Sequence, residues 1–276
     1  MSRKAKRGLR VVVRIVVSIA LLGFAARVLL QVWWLRLYSS KAPQAFVVPQ
    51  PLPLPTRSTD SGISLVGAGW RIHVPWSHVE NRTTKKHLGT EYDFVEFEHD
   101  RRLLIHLDPI GGPDYRDTLQ CASDKQRAKC EDLGGPRVME SPFFLARAVL
   151  GETPEQMLHA LPFYQVPVLG FLLALKTLTA PSMIMAPLPH AVFWFDNGRA
   201  YGFQDGAPPL DPWFAHVEAW APGDRFLRFH VLVKDGPPLR QEELSPILAS
   251  LEPTDDAAPV HYLSLASDEK SGDTHH

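Results

Sequence analysis

Two side chains with complementary acid–base chemistry, Asp93 and His106, flank a predicted hairpin. The segments EYDFVEFE and RRLLIHLD enclose His99-Asp100, and a two-residue turn there pairs position 93 with position 106. A carboxylate beside an imidazole can orient a general base, which gives a hypothesis of a His/Asp hydrolase. No nucleophile is visible beside the pair, and a one-residue change of register would separate its members, so an ordinary cross-strand ion pair is the alternative.

A second candidate set consists of Met183, Met185 and His190, within SMIMAPLPH. Thioether and imidazole groups are ligands that copper accepts, so this set gives a hypothesis of metal handling in the cell envelope. Methionine side chains that fill a loop beneath the core are the alternative. The chain contains no GxSxG, HExxH, Walker or complete Rossmann motif, and we therefore predict no cofactor.

Cys121 and Cys130 are the two cysteines of the chain. Outside the cytoplasm they favour a disulfide, with two free thiols as the alternative. In one continuous helix their Cα atoms would lie about 13 Å apart, beyond the roughly 4.4–6.8 Å that a disulfide needs. A disulfide therefore requires the segment CASDKQRAKC to turn back on itself. Neither cysteine has a neighbour at CxxC spacing, so we predict no zinc site.

Residues 15–37 are predicted to form a transmembrane signal-anchor helix with the apolar run Ile15–Leu35. Twenty-one residues at about 1.5 Å each extend about 31 Å, enough to cross a bilayer core of about 30 Å. Arg27 opposes insertion by about 2.5–3.5 kcal/mol, whereas twelve Ile, Val, Leu and Phe residues favour it by roughly 4–7 kcal/mol. The lipid bilayer is therefore the first predicted partner.

The charges around the anchor predict its orientation. Six basic residues precede it and two follow closely, which places the leader, residues 1–14, in the cytoplasm and the C-terminal domain in the periplasm or outside the cell. A cleaved signal peptide with Ile15–Ala26 as its apolar region is one alternative, and an amphipathic or buried helix is another. From residue 60 onward, 19 basic residues stand against 30 acidic ones, a net charge of −11 that argues against nucleic acid as a partner.

Three further segments follow the anchor. Residues 38–60 contain five prolines and are predicted to form an extended, semi-rigid stalk. Residues 61–253 have a globular composition and are predicted to form one exported domain. Residues 254–276 are polar and aperiodic, which predicts a disordered tail.

Strand patterns occur at both ends of the predicted domain. Residues 70–74 alternate between buried and exposed types. Asn197-Gly198 predicts a two-residue hairpin between AVFWFD and RAYGFQ, with Trp194 opposite Tyr201 and both faces covered. WFAHVEAW and RFLRFHVLV predict another hairpin, in which His216 and His230 lie on the outer faces and are predicted to meet solvent.

Helix patterns occupy the middle and the end of the domain. Ser141-Pro142 is typical of a helix start, and Thr153 with Gln156 is typical of a capping box. VPVLGFLLALKTLT predicts a buried core helix, with a partner or membrane surface as the alternative. LRQEELSPILASL predicts the closing helix. This order predicts an α+β fold with a mainly antiparallel sheet, a helical insert and a C-terminal helix, preceded by one transmembrane helix.

The order of elements resembles the PsbP-like domain fold. The residues that carry the resemblance are Gly69–Pro75 (GWRIHVP), the paired hairpins and Ile247–Leu251 (ILASL), and together they cover about 61–253. The resemblance implies a binding or assembly factor more than an enzyme, and it transfers no functional residue. We therefore expect a membrane-anchored, non-catalytic domain with a protein partner in the cell envelope.

Overall fold

The computed structural model describes residues 15–29, 32–33, 36, 43–55, 62–87, 90–107, 114–156, 165–179, 192–206, 213–255 and 264–265. The described chain has an α+β fold with one large mixed sheet, a smaller sheet and several helices. The predicted α+β class is therefore confirmed. The chain divides into two compact units, residues 1–46 with 152–178, and residues 47–151 with 179–276.

The second unit contains both sheets. Its strands are β1 (Gln50–Pro51), β2 (Ile63–Gly67), β3 (Trp70–Val74), β4 (Val79–His87), β5 (Thr90–Phe97), β6 (Arg101–His106), β7 (Val192–Asp196), β8 (Tyr201–Asp205), β9 (Phe214–Ala221), β10 (Arg225–Val233), β11 (Glu252–Pro253) and β12 (Ser264–Leu265). The large sheet has the order β1-β7-β8-β9-β10-β6-β5-β4, and the smaller one has the order β11-β3-β2-β12. The pairings are antiparallel except that β1 runs parallel to β7. This arrangement agrees with the predicted mainly antiparallel sheet.

Besides the helical residues 15–29, the described part of the chain contains five α-helices. They are α1 (Tyr115–Thr118), α2 (Asp124–Gly134), α3 (Pro142–Gly151), α4 (Gln165–Thr179) and α5 (Gln241–Ser250). Helix α3 begins as predicted, because the Ser141 hydroxyl accepts a hydrogen bond from the Phe143 amide. The predicted capping interaction at Thr153 also forms, since its amide donates to Gln156 Oε1 at 2.8 Å. The start signal at Ser141-Pro142 thus marks the beginning of α3 correctly.

The main core lies between the two sheets and helix α5. One face of the large sheet contributes alternate residues, and β2, β3 and α5 contribute the opposing side chains. The larger members of this cluster are Trp70, Ile72, Val74, Trp76, Phe97, Leu103, Ile105, Phe195, Val217, Phe229, Val231, Leu244, Ile247 and Leu248. The predicted alternation in residues 70–74 and the predicted apolar stripe of the closing helix are confirmed, because burial selects one face of each element.

The opposite, outer face of the large sheet is partly covered by helix α3. The Phe143 ring lies 5.4 Å from the Tyr201 ring and 5.1 Å from the Phe203 ring, measured between centroids. Phe144 also packs on Tyr201, at 4.9 Å. Strand β8 is consequently buried on both faces, as predicted for this hairpin.

Part of the proline-rich segment packs on the sheet rather than forming a stalk. Strand β1 pairs with β7, the Leu52 amide donates to the Trp194 carbonyl at 2.8 Å, and Leu52 and Leu54 pack against the main core. The predicted stalk is therefore wrong for residues 47–55. The predicted disordered tail is wrong for Ser264–Leu265, which pair with β2. Both segments gain backbone hydrogen bonds at sheet edges, which composition alone does not reveal.

The first unit contains helical residues 15–29 and helix α4. Residues 15–29 expose large apolar side chains, with Leu22 70% and Leu29 71% exposed. Helix α4 exposes Val168 and Phe171 and buries Leu172 and Leu173, so it is not enclosed on all sides as the core-helix hypothesis required.

Among the residues that the structure describes, no helix combines the length and the apolarity needed to cross a membrane. The anchor remains a prediction.

Candidate functional site

Three histidines from neighbouring strands meet on the outer face of the large sheet. His216 on β9 pairs directly with His230 on β10, and His106 lies at the end of β6 on the other side of β10. The Nε2 atoms of His106 and His230 are 3.0 Å apart, which is a hydrogen bond between two imidazoles. The His216 and His230 rings stack with centroids 4.6 Å apart and planes at 14°. We refer to His106, His216 and His230 as the histidine cluster.

The sheet register explains why these side chains converge. Along β9 and β10 the core residues Val217 and Phe229 alternate with His216 and His230, so both histidines face away from the core. Antiparallel pairing then brings the two rings side by side. His106 is on the same face because its neighbour Ile105 lies in the core and pairs with Phe229.

A buried ion pair lies beside the histidine cluster. Glu218 is 0% exposed, and its Oε1 atom accepts hydrogen bonds from Arg228 Nη2 at 2.7 Å and Nε at 3.1 Å. His216 Nε2 lies 3.8 Å from the same oxygen. Burial raises the pKa of Glu218, and Arg228 opposes that rise. Arg228 therefore favours the charged form of a carboxyl group whose burial favours the neutral form.

The histidine cluster is neutral near pH 7. Burial lowers the pKa of His216 to about 2, with the charges of His230, Arg228 and His106 acting in the same direction. Burial also lowers the pKa of His230 to about 4, assisted by His106 and Arg228. The pKa of His106 is lowered by burial and by Arg228. Each imidazole then carries one proton, and His216 does not form an ion pair with Glu218.

Aromatic rings border the cluster. The Phe214 ring lies 5.3 Å from the His230 ring, and the Tyr92 ring lies 6.2 Å from the His106 ring, between centroids. Within the described part of the chain, His216 Nε2, His230 Nδ1 and Glu218 Oε2 are buried without a hydrogen-bond partner. Buried polar atoms normally have such partners, so these three atoms mark the cluster as a site with unused donor or acceptor capacity.

The predicted pairing of Asp93 with His106 is wrong. His106 pairs with Tyr92, and Asp93 pairs with Ile105. The connection contains three residues, Glu98–Asp100, instead of two, and this shifts the register by one position. Because side chains alternate, Asp93 lies on the core face, where it binds Arg82 Nη2 at 2.7 Å. The His/Asp hydrolase hypothesis therefore loses its geometric basis.

The other sequence candidates have separate outcomes. Met183, Met185 and His190 lie outside the described residues. Cys121 and Cys130 form a disulfide with Cα atoms 5.8 Å apart. Cys121 precedes helix α2 and Cys130 lies within it, so the segment folds back as the geometry required. Within the described ranges, no group of three or more His, Cys, Asp or Glu side chains is arranged to hold a metal ion.

The histidine cluster was missed because His216 and His230 were predicted to meet solvent. His216 is 4% exposed, so that prediction is wrong for His216, whereas His230 is half-buried. A usable signal existed in the hairpin, since a three-residue turn at residues 222–224 pairs position 216 with position 230.

Comparison of the chain with protein-family models, with curated proteins and with solved structures found no match.

Proposed function

We propose that the protein is a single-pass membrane protein whose N-terminal helix holds an exported α+β domain at the cell envelope. In this proposal the domain binds or assembles an envelope protein partner and is not an enzyme. The observation that carries the proposal is the set of apolar side chains that residues 15–29, 32 and 33 expose. These exposed side chains are Ile15, Val16, Val17, Ile19, Leu21, Leu22, Phe24, Val28, Leu29, Val32 and Trp33.

Such exposure is unfavourable in water. Burial of one large apolar side chain stabilises a protein by about 1.5–3 kcal/mol, so a row of eleven exposed apolar side chains strongly favours a lipid environment. The basic leader supports a cytoplasmic N-terminus. The Cys121–Cys130 disulfide supports an oxidising compartment for the sheet unit. The resemblance to the PsbP-like fold supports a binding or assembly role.

Membrane fractionation with a topology reporter tests the anchor. The full-length chain with a C-terminal reporter that is active only outside the cytoplasm should remain in the membrane pellet after an alkaline wash, with the reporter active. Leu22→Arg adds about 2.5–3.5 kcal/mol to the insertion cost already imposed by Arg27, so it should release most of the protein from the pellet. Leu22→Ala is the matched control and should stay in the membrane. A wild-type chain in the supernatant would contradict the proposal.

The binding role needs a separate measurement. Cross-linking in intact membranes, followed by purification of the full-length protein in mild detergent, should yield one protein in constant ratio to the chain. Purification of the chain alone under conditions that preserve known envelope complexes would contradict the binding role without affecting the anchor. Sequencing of the mature N-terminus distinguishes an uncleaved anchor from a cleaved signal peptide.

A further inference from the structure

Helix α4 carries an apolar patch on its surface, formed by Val168 and Phe171. The Val168 side chain is 56% exposed and the Phe171 side chain is 47% exposed. The two residues are three positions apart in the helix, so their side chains are neighbours on one face. Exposure of two adjacent large apolar side chains is unfavourable in water, and it indicates a surface that another apolar medium covers.

The polar groups of α4 are withdrawn from its surface. The helix contains no acidic residue, and its one basic residue, Lys176, is 0% exposed. Lys176 Nζ donates a hydrogen bond to the Glu152 carbonyl oxygen at 2.6 Å. The Thr177 hydroxyl donates back to the helix, with the carbonyl oxygens of Leu173 and Ala174 each at 3.0 Å. Both polar groups therefore have protein partners and do not need water.

We propose that the apolar patch of α4 binds the lipid surface of the same membrane that holds the N-terminal helix. This inference rests on the proposed function, because the anchor supplies the bilayer, and it adds a second lipid contact. Fifteen residues at about 1.5 Å each extend about 22 Å, too short to cross a bilayer core of about 30 Å. Helix α4 therefore lies along the interface, with the patch about 5–10 Å deep at the boundary between headgroups and acyl chains.

Two observations favour lipid over a protein as the occupant of the patch. Helix α4 and residues 15–29 belong to the same compact unit, so the proposed anchor brings α4 to the bilayer. A protein interface normally surrounds its apolar centre with a polar rim that forms hydrogen bonds. Among the described side chains of α4, the polar ones are Lys176 and Thr177, and both are already paired within the chain. Acyl chains form no hydrogen bonds and suit such a surface.

Site-specific fluorescence in lipid vesicles tests the proposal. The full-length protein, with one added cysteine that carries a nitrobenzoxadiazole label, is reconstituted in vesicles of phosphatidylcholine and phosphatidylglycerol without other proteins. Labelling in the absence of reductant leaves Cys121 and Cys130 in their disulfide. Phospholipids with a nitroxide near the headgroup should quench the label of Phe171→Cys by about half. Phospholipids with the nitroxide near the chain end should quench it less.

Leu22→Cys and Glu155→Cys are the matched controls. Leu22 lies near the middle of the proposed anchor, so the nitroxide near the chain end should quench its label most. Glu155 is an exposed residue of the same compact unit and is not part of the patch. Its label should be quenched no more than about a third as strongly as the label at Phe171, because a charged position stays in water.

The outcomes separate the contact of α4 from the anchor. Circular dichroism identifies a variant that fails to fold, and Val168→Cys then reports on the same patch. A patch label that neither lipid quenches, while the Leu22 label is quenched, would overturn the lipid contact and leave the anchor intact. Equal quenching at Phe171 and Glu155 would also overturn it, because proximity to the bilayer alone would explain the result. An unquenched Leu22 label would contradict the anchor, whereas the patch label alone decides the contact of α4.

Discussion

Arg101 and Glu243 form a two-armed ion pair that connects the large sheet to helix α5. Arg101 Nε lies 2.9 Å from Glu243 Oε2, and Arg101 Nη2 lies 3.0 Å from Glu243 Oε1. Arg101 is 4% exposed, and it also donates to the carbonyl of Pro237. The pair therefore fixes the start of β6 against the helix that closes the main core.

Removal of the carboxylate should destabilise the fold strongly. Glu243→Ala leaves the buried Arg101 guanidinium without its charge partner, so we expect a loss of about 3–5 kcal/mol in the free energy of unfolding. Urea unfolding followed by tryptophan fluorescence measures this change. Arg101→Met combined with Glu243→Leu should lose far less, because no unpaired charge remains.

An exposed ion pair supplies the control for this prediction. Arg71 and Glu252 are 3.1 Å apart with side chains 50% and 32% exposed. Arg71→Ala should cost less than about 1 kcal/mol, because solvent already screens the pair. If Arg71→Ala and Glu243→Ala lowered the free energy of unfolding equally, the burial of Arg101 would not determine the size of the loss.

The Cys121–Cys130 disulfide should stabilise the helical layer. It closes a loop of about ten residues, for which chain entropy gives about 2.5–3 kcal/mol. The double variant Cys121→Ser, Cys130→Ser should lose this amount of the free energy of unfolding, measured by urea unfolding. The wild type in reductant should show the same loss. Alkylation of the protein as isolated from cells should modify neither cysteine until reductant is added. Modification without reductant would contradict both the bond and the exported location.

Lys176 should titrate near neutral pH. Its side chain is 0% exposed, and Nζ donates to the Glu152 carbonyl oxygen at 2.6 Å. Burial lowers the pKa of Lys176 to about 7, with Glu152 and Glu155 opposing the shift. Between pH 7 and about 10.5 the unfolded chain binds a proton at Lys176 that the folded chain lacks. The free energy of local unfolding therefore rises with pH in this window, by up to about 1.4 kcal/mol per pH unit, and this gain is lost as the pH falls to 7.

Hydrogen exchange of the α4 amides, corrected for intrinsic rates, measures this dependence. Lys176→Met removes the titrating group and should remove the rise with pH. Lys234→Met changes an exposed lysine and should leave the slope as in the wild type. A Lys176→Met variant that keeps the wild-type slope would assign the pH dependence to another group.

In the hairpin at Asn197, the local sequence predicted the faces of the two strands correctly but not the length of the turn or the register. Asn197-Gly198 was predicted to form a two-residue turn, with Trp194 opposite Tyr201. The structure has a four-residue turn with Trp194 opposite Phe203, a shift of two positions that leaves every side chain on its predicted face. Asn197 Nδ2 instead donates to the carbonyls of Leu248 and Leu251, about fifty residues away, and this contact favours the longer turn.

The sequence by itself determined several elements of this protein, because alternation, capping residues and turn residues act over a few positions. These local signals predicted the strand at residues 70–74, helix α3, the hairpin of β9 with β10 and helix α5. Only the tertiary structure decided the registers and the long-range neighbours. One extra residue in the turn after Phe97 separated Asp93 from His106, and pairing across three strands brought His106 to His230. Side-chain alternation has a period of two, so a single residue of register decides which groups meet.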